Sequence, residues 1–260
     1  MKKLTALVLV LVLVLTASVS LAETFIMGID PEYDPFTYMG DQGDYIGFDV
    51  EVCKAACEVA GLDMEIFPVV WDQKLIQLDA MECDCVWSGM TLTSSMAEAG
   101  YVLSKPYYQS TQVILTKENS GITTAADLAG KVVAVQLGTS GEKLLNTDLA
   151  DWSATFAQLI TCESFLVANT ELAGGAVDAV FIDIPVALKF KNENEGFVII
   201  DENLGAEDYG IAFRKSDAAL CAKIEDAVAQ LVANGTYAEI AAKYYPEIVT
   251  EKLYFLAAAE

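Results

Sequence analysis

Short apolar runs alternate with amphipathic stretches along most of the chain. Runs with strand character occupy residues 24–29, 64–70, 83–87, 112–116, 131–136, 176–182, 197–200 and 209–213. Between them, apolar residues recur at helical spacing over 48–60, 74–81, 141–149, 185–191, 218–233 and 237–244, and 123–128 has the pattern of a short capped helix. Alternating strands and helices are typical of α/β units with parallel sheets. The pattern therefore predicts an α/β fold.

The beginning of the chain differs from this pattern. Lys2 and Lys3 precede the apolar run 7–15, and small residues stand before Glu23. This order is typical of a secretory signal peptide, and the run is too short to span a membrane. We therefore expect residues 1–22 to be a signal peptide and the protein to be periplasmic or extracellular. Cys53 is the first cysteine, so the pattern of a lipid anchor is absent from the cleavage region.

The balance of charge narrows the range of partners. The chain has 15 Lys and Arg residues against 38 Asp and Glu residues, a net charge of −23, and loss of Lys2 and Lys3 would bring it to −25. Such a surface repels nucleic acid and anionic lipid, so no nucleic-acid partner is expected. A diffuse acidic surface mainly promotes solubility, although it also favours cationic ligands. The length after residue 22 suits one large domain or two lobes.

The chain has six cysteines and no histidine. Cys53 and Cys57 have helical spacing among small apolar residues, and Cys83 and Cys85 share one face of a predicted strand. We expect free, buried thiols rather than disulfides, and neither a metal site nor a cofactor, since histidine and CxxC motifs are absent. Nucleophilic catalysis normally requires a base such as histidine, and the chain has no GxSxG or P-loop motif and no carboxylate pair close in sequence. The sequence thus argues against an enzyme.

Three polar clusters follow predicted strands, where ligands bind in open α/β sheets. The segment 136–142, QLGTSGE, opens a helix with capping-box spacing, and its backbone N–H groups either bind an anion or only cap that helix. Asp30 comes at the end of the first strand, and Tyr33 and Phe36 follow it, either as a site or as an ordinary loop with a packed aromatic residue. Asp183 precedes Pro185 and either caps the next helix or binds an ammonium group. Each cluster alone leaves both interpretations open.

The order of the motifs resembles the extracellular amino-acid-binding proteins (family 3) of bacterial ABC uptake systems. The chain contains, in order, GFDVEVCKAACEVAG, SGMT, KPYYQSTQV, DLAGKVVAVQLGTSGE, GAVDAVFIDIPVAL, EDYGIAFRKSD and NGTYAEIAAKYY, and the resemblance runs from about residue 25 to 245. It implies a type II periplasmic-binding-protein-like fold of two α/β lobes joined by a two-strand hinge. Lobe 1 would comprise residues 23–112 plus 207–260, and lobe 2 residues 113–206. A monomer would close on one small solute and deliver it to a membrane ABC permease, without a cofactor.

The resemblance also implies roles for individual residues. Asp183 would pair with the α-ammonium group of a ligand, helped by the Gly89 carbonyl and the Thr91 hydroxyl. Tyr33 and Trp71 would form aromatic walls of the pocket, which suit a cation.

The rest of the expected pocket follows from the same resemblance. Asp30 and Gln136 would face the ligand side chain, and the backbone N–H groups of Thr91 and Ser140 would bind its α-carboxylate. The remaining expected site residues are Phe36, Ser88, Met90, Met96 and Thr139.

One position departs from the family pattern. Family members typically have SGMTITPER, in which the arginine binds the ligand carboxylate with two parallel hydrogen bonds; here Met96 takes its place, and no cation lies between Lys74 and Lys105. In one interpretation the carboxylate is held by two helix N-termini, with Lys74 or Lys105 reaching in. In another the ligand is an amine without a carboxylate, selected by Asp183 and Asp30. A periplasmic dehydratase-like enzyme on the same fold is a third possibility, and the resemblance favours an amino acid.

Overall fold

The structure is a computed structural model that describes residues 23–249 and 252–257. The predicted signal peptide, residues 1–22, lies outside the described residues. Two sheets are present in the described chain, one of ten strands and one of three. The large sheet contains β1 (Glu23–Ile29), β5 (Leu62–Pro68), β6 (Cys85–Thr91), β7 (Val102–Leu103), β8 (Tyr108–Lys117), β9 (Val132–Gln136), β10 (Gln158–Cys162), β11 (Ala179–Asp183), β12 (Phe197–Ile200) and β13 (Ala206–Phe213). The small sheet contains β2 (Glu32–Tyr33), β3 (Thr37–Met39) and β4 (Tyr45–Ile46).

Helices pack on both faces of the large sheet and connect most of its parallel strands. They are α1 (Phe48–Ala60), α2 (Lys74–Asp79), α3 (Ser94–Glu98), α4 (Ser140–Asn146), α5 (Ala150–Ser153), α6 (Phe165–Gly174), α7 (Ile184–Glu193), α8 (Ala218–Ala233), α9 (Thr236–Lys243) and α10 (Tyr254–Ala257). Single 3₁₀ turns occupy Trp71–Gln73, Glu118–Ser120 and Ala125–Leu128. Within residues 23–249 and 252–257, no helix combines the length and apolar character needed to cross a membrane.

The large sheet consists of two strand groups connected through β8 and β13. Its order is β10-β9-β11-β8-β13-β6-β1-β5, with β12 beside β8 and β7 beside β13. We call β1, β5, β6 and β7 the first strand group, and β9, β10, β11 and β12 the second. The first half of β8 pairs with β13, and its second half pairs with β11 and β12. These two neighbouring strands are therefore the shared connection between the groups.

The predicted parallel pairing holds within the two strand groups, but the large sheet as a whole is mixed. The β1–β5, β1–β6, β9–β10 and β9–β11 pairs are parallel, but β8 and β13 are antiparallel to their partners. Parallel neighbours need a crossover connection, whereas β8 and β13 carry the chain directly between the two groups. The sheet is mixed for this reason.

All six cysteines are free and buried, which confirms the prediction from spacing. Cys53, Cys57 and Cys85 belong to the larger hydrophobic core, among residues such as Phe25 and Phe48. Burial raises the pKa of the Cys85 thiol well above its ordinary value. These thiols act as small apolar side chains.

Candidate functional site

The largest concentration of the expected site residues lies around one cavity at the ends of the central strands. The lining includes residues at or just after the carboxyl ends of β6, β9 and β11, so both strand groups contribute to it. The cavity has a volume of about 180 Å³, below the range usual for drug-sized ligands, so it suits a small solute. Its lining comprises Tyr33, Trp71, Lys74, Leu75, Gly89, Met90, Thr91, Thr93, Ser95, Met96, Gly138, Thr139, Ser140, Lys143 and Asp183.

Asp183 provides the acidic end of the cavity. Its side chain is buried, and its carboxylate accepts hydrogen bonds from the Tyr33 hydroxyl, at 2.6 Å, and from Gln112 Nε2. Asp183 occupies the N-cap position of α7 but makes no side-chain cap bond, so the helix-capping alternative is wrong. Burial, followed by repulsion from Glu207, raises its pKa well above the ordinary value. A ligand cation would relieve that repulsion.

Glu207 is the carboxylate that the sequence analysis missed. It lies on β13. Its carboxylate accepts hydrogen bonds from Gln112 Nε2 at 2.9 Å, from the Ser140 hydroxyl at 2.5 Å and from the Thr91 hydroxyl at 3.1 Å. Its partners lie 67 to 116 residues away along the chain, so the only sequence signal was its place in the EDYGIAF motif. The Thr91 hydroxyl also lies 3.2 Å from the Ser140 oxygen, so its proton is shared between Ser140 and Glu207. The lone pairs of Thr91 and the second lone pair of Ser140 remain available to an ammonium donor.

Two aromatic rings line the cavity. The rings of Tyr33 and Trp71 are nearly parallel, with centroids 6.5 Å apart and an interplanar angle of 8°. The Tyr33 hydroxyl also lies 2.8 Å from the Tyr209 hydroxyl, which fixes the ring at its polar end. Gly89 lies on β6 with φ +52°, and a Cβ atom there would come within 2.2 Å of the Tyr33 ring. The Tyr33 ring can occupy this position because residue 89 is glycine and has no Cβ atom.

Four of the expected site residues lie behind the lining rather than in it. Gln136 Nε2 donates to Asp30 at 2.7 Å, and the Asp30 N–H donates to the Ser88 hydroxyl at 3.1 Å. Phe36 is fully buried and packs against the Tyr33 ring, with centroids 5.6 Å apart. Burial raises the pKa of Asp30. In this structure these side chains bind one another and support the aromatic wall.

Gly89 is held in place by a buried carboxyl group that bonds to the backbone of β6. The Gly89 N–H and the Tyr107 hydroxyl both donate to Asp49 Oδ2, at 2.7 and 2.6 Å. Asp49 is fully buried, and burial raises its pKa to about 7 against the opposing effect of the Tyr107 and Gly89 bonds. Asp49 therefore orients the strand end whose carbonyl was expected to face a ligand ammonium.

Two lysines form the basic part of the lining. Lys74 Nζ donates to the carbonyls of Trp71 and Gly138, at 2.9 and 2.7 Å, and lies 4.4 Å from the centroid of the Trp71 ring. Burial lowers its pKa to about 8. Lys143, on α4, places its Nζ 3.1 Å from the Ser95 hydroxyl. Of the two lysines considered from the sequence, Lys74 is in the lining, whereas the Lys105 backbone pairs with Glu225 outside it.

The backbone of the 136–142 turn is hydrogen-bonded to a side chain of the same segment. The Gly138 N–H donates to the Glu142 carboxylate at 2.7 Å, and the Glu142 N–H donates to the Thr139 hydroxyl at 3.1 Å. Thr139 and Ser140 nevertheless line the cavity, as expected. The Gly138 N–H is thus already paired, whereas the N–H groups expected to bind the ligand carboxylate belong to Thr91 and Ser140.

This arrangement can be compared with known proteins. Residues 25–247 match the bacterial extracellular solute-binding proteins, family 3. The chain belongs to this family. This solute-binding protein has the type II periplasmic-binding-protein fold, as its structural neighbours do.

Individual relatives of the solute-binding protein cover most of its length. The L-cystine-binding protein TcyJ of Escherichia coli (strain K12) is 30% identical over 231 residues, covering 88% of this chain and 85% of the relative. The arginine-binding extracellular protein ArtP of Bacillus subtilis (strain 168) is 32% identical over 234 residues, covering 88% and 89%. A substrate-binding protein of an ABC uptake transporter from Streptococcus pneumoniae, solved with bound histidine, matches with a TM-score of 0.82 and 28% identity over 87% of this chain and 94% of that one. These relatives are all named as binding proteins.

Proposed function

We propose that the protein captures an L-α-amino acid in this cavity and delivers it to a membrane ABC permease. The observation that carries the proposal is the separation of charge along the cavity. Asp183 and Glu207 lie at one end, and Lys143 lies with Ser95 and Met96 at another part of the lining. A zwitterion complements two such regions, with its ammonium group at the acidic end. The amino-acid ligands named for its relatives agree with this choice.

Binding in this proposal includes closure of two lobes. Residues 23–112 with 207–260 form lobe 1, residues 113–206 form lobe 2, and β8 and β13 form the hinge. The bonds Tyr33–Asp183 and Gln136–Asp30 connect the lobes across the cavity. A ligand stabilises such a closed arrangement only through its higher affinity for the closed state than for the open state. The exported monomer would present its closed form to the permease.

A cationic amine without a carboxylate is the second candidate ligand. Two observations favour it: Asp183 and Glu207 share one amide donor, Gln112 Nε2, and Met96 replaces the usual carboxylate-binding arginine. An amine would satisfy the two carboxylates without needing any cation at the other side of the cavity. The two candidates therefore differ in a single functional group of the ligand.

A thermal-shift screen distinguishes the candidates. The mature protein, stripped of ligand by partial unfolding and dialysis, is tested against the twenty common L-amino acids, L-cystine and the matching decarboxylated amines. At a hundredfold excess over Kd a ligand adds about 2.7 kcal/mol of stability, equivalent to about 5 to 10 °C in a chain of this size. We expect stabilisation by one or more amino acids and not by their amines. Stabilisation by amines alone would support the second candidate, and no shift with any compound would contradict both.

A further inference from the structure

We propose that Lys143 supplies the cation that binds the ligand carboxylate, in the place of the arginine that this chain lacks at position 96. The inference rests on the proposed amino-acid ligand. In this role Lys143 would determine specificity for a carboxylate. The sequence alone does not indicate the role, because Lys143 lies just outside the 136–142 motif and in the opposite proposed lobe from Met96.

The position of Lys143 supports this role. Its Nζ lies 3.1 Å from the Ser95 hydroxyl, and Ser95 is the direct neighbour of Met96. Lys143, Ser95 and Met96 all line the same cavity, and Met96 is buried there with only 6% of its surface exposed. Lys143 lies on α4 one turn after Ser140, whose hydroxyl is bound to Glu207 at the acidic end. One short helix therefore contributes to both the ammonium and the carboxylate ends of the site.

The other candidates for the carboxylate are weaker. Helices α3 and α4 are short, with five and seven residues. Their N-termini alone would attract a carboxylate more weakly than a neighbouring cation would. The Gly138 N–H is paired with Glu142. The Lys74 ammonium already donates to two carbonyls and lies over the Trp71 ring. Lys143 has a hydroxyl as its neighbour instead, and a carboxylate is a stronger acceptor for an ammonium group than a hydroxyl is.

The lobe that supplies the cation determines whether binding of the ligand carboxylate is coupled to closure. An arginine at position 96 would belong to lobe 1 and would bind the carboxylate in the open form as well as in the closed one. Lys143 belongs to lobe 2 and approaches Ser95 only when the lobes meet. Its bond to the carboxylate would therefore form in the closed state alone, which is the kind of differential affinity that drives closure.

The test compares an acid with its amide in single-site variants. The probes are the L-amino acid that stabilises the wild-type protein most in the screen above and the α-carboxamide of the same amino acid, both measured by calorimetry. We expect Lys143→Met to weaken binding of the acid by about tenfold and to leave the affinity for the amide unchanged. Lys143→Arg should keep the preference for the acid, and Met96→Arg should restore it in the Lys143→Met background. Lys191→Met, an exposed position on α7 outside the cavity, is the matched control.

The outcomes separate the two proposals. A Lys143→Met protein with the wild-type ratio of acid to amide affinity overturns the role of Lys143 and leaves the proposed function intact. Equal losses for acid and amide also overturn it, since they indicate a structural effect. A wild-type protein that binds only decarboxylated amines contradicts the proposed function and the role of Lys143 together. The melting temperature without ligand, expected to be unchanged in the exposed Lys143 variants, verifies folding.

Discussion

At the scale of single residues, the site depends on two carboxyl groups that share one amide donor. Gln112 Nε2 donates to both Asp183 and Glu207, and their mutual repulsion adds to the effect of burial on the pKa of Asp183. Paired carboxylates in a buried place are unfavourable unless a cation or a proton joins them. In the function we propose, a ligand ammonium group is that cation, so ligand binding and protonation of Asp183 would compete for the same position.

Replacement of Asp183 by asparagine tests this directly. We expect Asp183→Asn to abolish ligand binding, because the amide has no negative charge to pair with an ammonium group. The fold should persist, since the substitution removes the repulsion with Glu207 and keeps an acceptor for the Tyr33 hydroxyl. Calorimetry with the ligand found in the screen and a thermal melt check the two parts. Asp151→Asn, on the exposed face of α5, is the control, and wild-type affinity in Asp183→Asn would refute the assignment.

Asp49 gives a prediction about pH. Burial raises its pKa from 3.8 to about 7 in the folded protein, so between these values the folded state holds a proton that the unfolded state has lost. The stabilising contribution of this group is therefore complete below pH about 4 and is lost as pH rises toward 7.

The measurement is the free energy of unfolding from pH 4 to pH 7 in wild type and in Asp49→Asn. The slope due to Asp49 approaches about 1.4 kcal/mol per pH unit between the two pKa values. The asparagine side chain of the variant does not titrate, so we expect a stability that falls less steeply with pH in the variant than in the wild type. Parallel curves for the two proteins would show that Asp49 is ionised throughout.

At the scale of elements, the sequence predicted those that a single pattern determines. The helices Phe48–Ala60 and Ala218–Ala233 and the strand Phe197–Ile200 have the predicted ends, since apolar spacing and the flanking turn residues agree there. Helix α6 was missed because FLVANTELAG is apolar around much of its surface and shows little helical periodicity. The β2–β3–β4 sheet was missed because its strands have only two or three residues.

The position of the site was predicted better than its chemistry. Tyr33, Trp71 and Asp183 lie in the lining because they are at or just after the ends of predicted strands, a relation that can be recognised from the sequence. The strand predicted over 83–87 runs instead from Cys85 through Thr91, so Gly89 is a strand residue. Glu207 and Lys143 depend on contacts between segments distant in sequence, and no local pattern indicates such contacts.

At the scale of the whole molecule, several contacts hold the two proposed lobes together. Lys74 binds the Gly138 carbonyl, Lys143 meets Ser95, and Lys189 forms a salt bridge with Asp34 at 3.2 Å. Contacts of this kind are expected in the closed form that we propose. Gly138 also lies directly against the backbone of residue 72, which belongs to the other proposed lobe.

Gly138→Ala should therefore oppose closure. A Cβ atom at Gly138 would lie 2.5 Å from the Asp72 Cα, and a backbone atom cannot move away by rotation of a side chain. We expect ligand affinity to fall by tenfold or more, equivalent to about 1.4 kcal/mol, and the ligand-dependent decrease in radius of gyration to become smaller. Calorimetry and small-angle scattering, with and without ligand, measure both.

Gly130→Ala is the matched control for this variant. Gly130 has φ +73°, close to the +75° of Gly138, but nothing lies within 4 Å of a Cβ placed there. Both variants bear the same backbone strain, and only one meets the opposite lobe. Equal affinities in the two variants would show that the Gly138–Asp72 contact has no part in closure.

The six buried cysteines allow local opening of the native protein to be measured through their reactivity. Five of them, Cys53, Cys57, Cys83, Cys85 and Cys221, lie in proposed lobe 1, and Cys162 alone lies in lobe 2. A buried thiol reacts with an alkylating reagent only after the surrounding structure opens. Rates of alkylation at Cys162 and at the other five, separated by mass spectrometry, would give the opening free energy of each lobe in the native protein. Ligand added to the same reaction would show which lobe it protects, with no engineered label.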